Sequence, residues 1–278
     1  MTSSVSGRKR SMDENVFIRI QSSLKELKLD PYAEEIASFF MRSNFSEEQI
    51  DAVAGVLNHL ETKKREKIVT TLLKMSRLPL KEPKSFENFD FEQIHGKEAG
   101  ILKNLSTLAA LHAKRNIIFI GPEGTGKTHL AMAFGRECCC QGYKAYFLKA
   151  TELKQKFEEA IRFGHEAQLI RGLVKHSSLI IDEIGRCVFD KTSTRLFFDM
   201  IDRRYQKEGS NNLILTSNVP ANNWGEFFQE DASLLPAMDR IFDNATVITF
   251  KGESYRGKFR KSITLNVGEP PLLPGSHK

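Results

Sequence analysis

The apolar run 117–120 ends at Gly121, and the next seven residues are Pro122, Glu123, Gly124, Thr125, Gly126, Lys127 and Thr128, with His129 after them. No other stretch of the chain narrows its possible folds as far. The pattern G-x-x-x-x-G-K-[ST], with a strand-like run before it and a helix-like run after it, is a phosphate-binding loop in the context that gives the motif meaning. Glycines at 121, 124 and 126 let backbone N–H groups turn inward around phosphate oxygens with no Cβ in the way. The helix that begins at Lys127 brings its positive end to the same spot. Lys127 supplies a point charge for β- and γ-phosphates, and the Thr128 hydroxyl supplies a ligand for Mg2+.

Downstream of the loop, strand and helix signals alternate. Strands are predicted at 145–148, 179–181, 212–216 and 246–250, and helices at 152–163, 166–176, 194–207 and 234–242. Such alternation implies a parallel sheet with helices on both faces. Ligands of such sheets sit at the carboxyl ends of the strands, where the polar motifs of this chain fall. The run 179–181 ends in Asp182 and Glu183. Adjacent acids at the end of a buried strand are costly without cations. Asp182 is placed to hold Mg2+ through water, and Glu183 to polarise an attacking water. Asn218 ends the 213–217 run; it reads either as a donor to a γ-phosphate or attacking water, or as a turn residue before Pro220. Arg240 in the late helix and Arg256 after the last strand read as surface residues or as the missing transition-state charge.

Ahead of the loop the pattern is helical from 16 to about 75. Asp30 and Pro31 signal a helix start, as does Ser46 with Glu47 and Glu48. The basic run 63–67 interrupts the apolar stripe, which resumes at Ile68, Leu72 and Met75, and a small domain of about three helices is expected. The segment 61–84 carries eight Lys/Arg against three Glu. It reads as a solvated helix face running into a hinge at 76–83, or as a contact for nucleic-acid backbone. Phe86, Phe89 and Phe91 either lie over the next domain and its nucleotide or simply anchor the core. A helix over 97–112 should lead into the first strand.

With 278 residues, 40% of them hydrophobic and 27% charged, the chain has room for one large domain and a small one. No apolar run approaches the ~18 residues of a membrane span, and residues 1–13 lack a hydrophobic signal core, so a cytoplasmic protein is expected. Cys138, Cys139 and Cys140 are consecutive and fan around a helix at about 100° per residue, which leaves no chelating face. With Cys187 they read as small hydrophobes in a reducing compartment. A net charge of +6 is compatible with an anionic polymer as partner.

Taken in order, these motifs resemble those of AAA+ ATPases of the DnaA/DnaC/IstB clade, and most closely the IstB-like helper ATPases of insertion-sequence transposition. The matching text is GPEGTGKTHLA at 121–131, LIIDEIG at 179–185, LTSNVP at 215–220, WGEFF at 224–228, MDR at 238–240 and KGESYR at 251–256, with SRLP at 76–79 before them. The resemblance implies a three-layer α/β/α AAA+ P-loop domain over 96–262. A small all-α domain over 14–75, serving DNA binding or self-association, would precede it. A linker over 76–95 and tails at 1–13 and 263–278 complete the division.

The resemblance also implies ATP and Mg2+ as ligands, hydrolysis of ATP, assembly of several copies on double-stranded DNA, and delivery of that DNA to a partner transposase. No membrane partner is implied. Lys127 and Thr128 would be the first phosphate motif, Asp182 and Glu183 the second, and Asn218 the first sensor. Arg240 would reach a neighbouring subunit's ATP, and Arg256 would act within its own subunit. The helical insert after 150 matches the clade's DNA-contacting segment, with Lys154, Lys156, Arg162, Arg171 and Lys175 as its candidates, although with Lys149 it carries six Lys/Arg against four Glu.

Two departures stand out: Glu123 is an acid inside the phosphate loop, and Arg186, Cys187 and Val188 replace a more aromatic, proline-containing sequence. A replicative helicase loader would have nearly the same ATPase domain, and its difference would lie in 15–75. A nucleotide-binding scaffold without turnover is the third reading; Lys127, Asp182, Glu183 and Asn218 argue against it.

Overall fold

The computed structural model describes residues 14–43, 45–91, 99–229 and 234–251. Its centre is one parallel sheet of β1 (Asn116–Ile120), β2 (Ala145–Lys149), β3 (Ser178–Ile184), β4 (Asn212–Ser217) and β5 (Ala245–Thr249), in the order β2-β3-β4-β1-β5. β4 therefore separates β1 from β3, and the carboxyl ends of all three open on one edge. Both faces are covered, which is why the strands read as unbroken apolar runs. Ile117, Phe119, Phe147, Ile180 and Ile214 face a core built with α6 (Lys127–Cys140). Ile118, Leu148, Leu179, Ile181, Leu213 and Leu215 face the other core. That core is closed by α7 (Ala150–Phe163), α8 (Glu166–Val174), α9 (Lys191–Gln206) and α10 (Leu234–Asp243). Ile117, Ile118 and Phe119 are completely buried, and each such side chain contributes roughly 1.5–3 kcal/mol.

The N-terminal helices are α1 (Glu14–Leu27), α2 (Ala33–Arg42) and α3 (Glu47–Met75). Ile20, Leu24, Phe40, Ile50 and Ala54 form their own small core. Ser46 starts α3 with a reciprocal cap: its hydroxyl accepts from Gln49 N, and the Gln49 side chain accepts from Ser46 N. The basic run does not break this helix. It extends 29 residues, about 43 Å at 1.5 Å per residue. Its middle is solvated nearly all round, as for a helix bridging two bodies. Its last turn belongs to the sheet domain, where Leu72 and Leu73 pack beside buried Leu78. The carbonyl of Ser76 then accepts from Phe147 N at 2.9 Å, so the chain leaving α3 covers part of the open edge at β2.

The helix expected over 97–112 breaks instead into α4 (Ala99–Asn104), a 3-10 turn Leu105–Thr107 and α5 (Ala109–His112). Ser106 and Thr107 hydroxyls donate to the Lys103 and Asn104 carbonyls, and Thr107 Oγ1 then accepts from Ala109 N. These short side chains compete with the helical ladder, and Leu108 turns left-handed at φ 56° while its side chain stays fully buried. Among the described residues no helix is long and apolar enough to cross a membrane. All four cysteines are free, and burial pushes the Cys138 thiol far above its ordinary range.

Below the sheet, Arg204 is fully enclosed and donates to the carbonyls of Leu173, His176, Ser177 and Asn212. Burial lowers its pKa to about 9, which leaves it cationic at neutral pH. His176 beside it stacks on Tyr146 with ring centroids 4.7 Å apart. Burial, with Lys175, Arg204 and Lys207 nearby, lowers the His176 pKa from 6.5 to about 4. The unfolded chain therefore binds this proton more readily than the native one. Stability is complete above pH ~6.5 and declines as pH falls toward 4. Thermal melts across that range should show a falling midpoint whose slope is flatter in His176→Phe; equal slopes would discard the assignment.

Candidate functional site

At the carboxyl end of β1 the backbone turns through Gly121 at φ 149° and enters α6 from Gly126 at φ 95°. Neither position accepts a side chain. A Cβ on Gly121 would lie 2.5 Å from the Phe250 carbonyl oxygen, and one on Gly126 would lie 2.8 Å from the Phe89 ring. Phe89 also meets the His129 ring edge-on at 5.2 Å, and His129 Nε2 contacts the Ser85 carbonyl at 2.9 Å. Burial holds the His129 pKa below its ordinary value. Phe86, Phe89 and Phe91 pack on the α6 core, so the extended segment anchors the domain and closes over the loop at once. Gly126→Ala combines a left-handed φ with that clash, a strain of about 1–3 kcal/mol. We expect it to weaken binding of an ATP analogue at least tenfold, with the fold retained by circular dichroism; unchanged affinity would show that Phe89 yields freely.

Lys127 is 6% exposed and its Nζ donates to the Gly121 and Pro122 carbonyls at 2.7 and 2.6 Å. Beneath the loop, Thr128 Oγ1 donates to Asp182 Oδ1 at 2.7 Å, and Thr216 Oγ1 donates to the same oxygen at 2.6 Å. Asp182 is 2% exposed. The pairing of β3 with β4 slips here: Ile181 pairs with Leu215 and Ile184 with Ser217, so two β3 residues oppose Thr216 alone. This is a bulge, and bulges beside sites re-aim side chains. Glu183 takes a left-handed φ of 61°, and its N–H donates to Thr216 Oγ1 at 2.9 Å. Asp182 thereby points down to Thr128 while Glu183 faces the cavity above.

That cavity has a volume of about 420 Å3, and Glu123, Gly124, Thr125, Gly126, Lys127, Thr128, His129, Glu183 and Asn218 line it together. Lys84, Met132, Arg186 and Thr216 complete the lining, and the sequence reading named none of the four as a site residue. Lys149, at the end of β2, places Nζ 3.6 Å from Glu183 Oε2. The signal for Thr216 lay in its place two residues before Asn218 at a strand's carboxyl end. Arg240 is elsewhere. It pairs with Asp202 at 2.7 Å and lines a second cavity with Asn116, Leu213 and Asn244, at the amino ends of β1, β4 and β5. Arg256 lies outside the described residues.

The insert residues do not form one basic face. Lys154 is 3.7 Å from Glu158, and Lys156 is turned about 200° around α7 from it. Arg162, Arg171 and Lys175 are exposed; only Arg171 and Lys175, four apart at the end of α8, share a side.

A hydroxyl and a carboxylate in contact below a glycine-lined loop form a hard-oxygen donor set suited to Mg2+, and the backbone cradle with Lys127 suits polyphosphate. Strand order, loop and acid pair together define a P-loop nucleotide-binding protein of the AAA+ fold. The family profile described as IstB-like ATP binding protein matches residues 22–263, and the chain belongs to that family. An "insertion sequence IS5376 putative ATP-binding protein" of Geobacillus stearothermophilus is 36% identical over 193 residues, covering 69% of this chain and 75% of that one. An "insertion sequence IS21 putative ATP-binding protein" of Pseudomonas aeruginosa is 34% identical over 201 residues, covering 72% and 74%. In fold the chain is similar to the crystal structure of DnaI, at a TM-score of 0.50 and 17% identity, over 68% of this chain and 92% of that one.

Proposed function

We propose that this chain hydrolyses ATP with Mg2+ and serves insertion-sequence transposition as a cytoplasmic helper. In this reading several copies assemble on double-stranded DNA and stimulate a partner transposase. The observation that carries the ATPase part is the bulge at Asp182 and Glu183, which divides two adjacent acids between two tasks. Thr128 and Asp182 would hold Mg2+, which when bound neutralises charge on the β- and γ-phosphates. Lys127 and the loop N–H groups bind and orient the phosphates. Glu183 accepts the proton of the attacking water, and Asn218 orients that water or the terminal phosphate. The transposition part is supported by family membership and by relatives whose names place them in insertion sequences.

DNA contact is assigned to the exposed ends of α7 and α8, at Arg162, Arg171 and Lys175, and to the solvated middle of α3, where Arg65 and Lys67 are exposed. The helical 14–75 unit is assigned to DNA binding or self-association. Likeness to DnaI speaks to fold alone and does not favour a helicase loader. The test is phosphate release with and without duplex DNA, followed by strand transfer assayed with a candidate partner transposase. Turnover stimulated by duplex supports the reading. No turnover in either condition leaves a nucleotide-binding scaffold, and turnover without any effect on strand transfer removes the transposition role.

A further inference from the structure

Glu123 is an acid inside a loop that surrounds anions, and its geometry gives it a task. One oxygen, Oε1, accepts from Arg186 Nη1 at 3.0 Å and from Asn218 Nδ2 at 3.2 Å. The same Arg186 nitrogen lies 3.9 Å from Glu183 Oε1. A turn closed by Arg186 N donating to the Glu183 carbonyl holds the arginine beside the bulge. Among the described residues, the Lys and Arg side chains lining this cavity are Lys84, Lys127 and Arg186. Lys84 sits by His129, and Lys127 is buried under the loop. Arg186 is thus the guanidinium that faces Glu183 and Asn218, and its planar fork suits a terminal phosphate. Its side chain is 54% exposed and that of Glu123 64%, so the pair is weakly held and exchangeable.

We propose that Arg186 contacts the terminal phosphate of the chain's own ATP, and that Glu123 is the carboxylate it leaves to do so. The inference rests on the ATP reading of the site. A γ-phosphate oxygen and Glu123 Oε1 compete for the same two donors, Arg186 and Asn218. ADP has no third phosphate and leaves the Glu123 contacts in place. The exchange makes the pair a discriminator between triphosphate and diphosphate, read through differential affinity.

The test measures affinity of the full chain for a non-hydrolysable ATP analogue and for ADP, with Mg2+, in the wild type, Arg186→Ala, Arg186→Lys, Glu123→Ala and the double alanine variant. Arg186→Ala should weaken the analogue about tenfold and ADP less than about twofold, with partial recovery in Arg186→Lys. Glu123→Ala should tighten the analogue about threefold more than ADP, and that gain should vanish when Arg186 is also Ala. Removing a negative charge near phosphates in general would tighten both nucleotides and persist in the double variant, and that result overturns the proposal. So does an Arg186→Ala effect equal on analogue and ADP. A wild type that binds both nucleotides while no variant alters their ratio sinks the Arg186 assignment alone; a wild type that binds neither removes the ATP reading and this inference with it.

Discussion

Glu183→Gln should cut ATP turnover by at least about a hundredfold, some 2.7 kcal/mol of barrier, while nucleotide affinity stays within about threefold of wild type. The backbone geometry explains the separation. Glu183 is held by its own N–H on Thr216 Oγ1 and by the bulge, not by its carboxylate. The carboxylate lies between Lys149 Nζ at 3.6 Å and Arg186 Nη1 at 3.9 Å and is 29% exposed. Gln keeps the shape and can still accept a hydrogen bond, but it cannot take a proton from water. In the proposed reading the loop and Lys127 hold the phosphates, and the substitution leaves both intact. If ATP promotes assembly on DNA, the blocked step should also lengthen the lifetime of those assemblies. Phosphate release, analogue binding and dissociation of labelled duplex check the three parts, and a wild-type rate of release would refute the role given to Glu183.

What the sequence made legible was local or periodic. The loop is one continuous strand-turn-helix, so Lys127 and Thr128 could be placed without knowing the fold. Alternation of strands and helices gave the sheet and hence the edge on which Asp182, Glu183 and Asn218 meet. Ser46 announced α3 through a cap contained within four residues. What stayed hidden depends on contacts distant in sequence. Glu123 meets Arg186 across 63 residues, in two loops whose conformations no local pattern dictates. Glu183 takes a left-handed φ that its residue type does not favour; the cost is met by the bulge and by Thr216 from another strand. The basic run in α3 interrupts the apolar stripe without ending the helix, because this stretch stands in water rather than against a core. Leu108 misled: its apolar spacing fitted one helix, while Ser106 and Thr107 bent the backbone around it.

Arg240→Ala should lower turnover about a thousandfold and yet recover when mixed with Lys127→Ala, although each variant alone is nearly inactive. The sheet sets Arg240 apart from its own phosphate loop. Arg240 lines a cavity with Asn116 at the start of β1, whereas the phosphate loop follows its end. Five residues of strand lie between, roughly 16 Å at about 3.3 Å each, beyond the reach of an arginine side chain toward its own loop. The partner it has, Asp202 at 2.7 Å, is about one-third exposed as a side chain, although the paired Oδ1 itself is buried. If Arg240 stabilises transition-state charge, it does so on the nucleotide of an adjacent copy in a head-to-tail assembly. A Lys127→Ala subunit still offers Arg240, and an Arg240→Ala subunit still offers an intact loop. In an equal random mixture about a quarter of heterologous interfaces join those two intact halves, so activity should approach a quarter of wild type. Phosphate release across a titration of one variant into the other measures this, with mass photometry confirming mixed assemblies. Mixed assemblies that release no more phosphate than the two variants separately would place Arg240 outside the hydrolytic site.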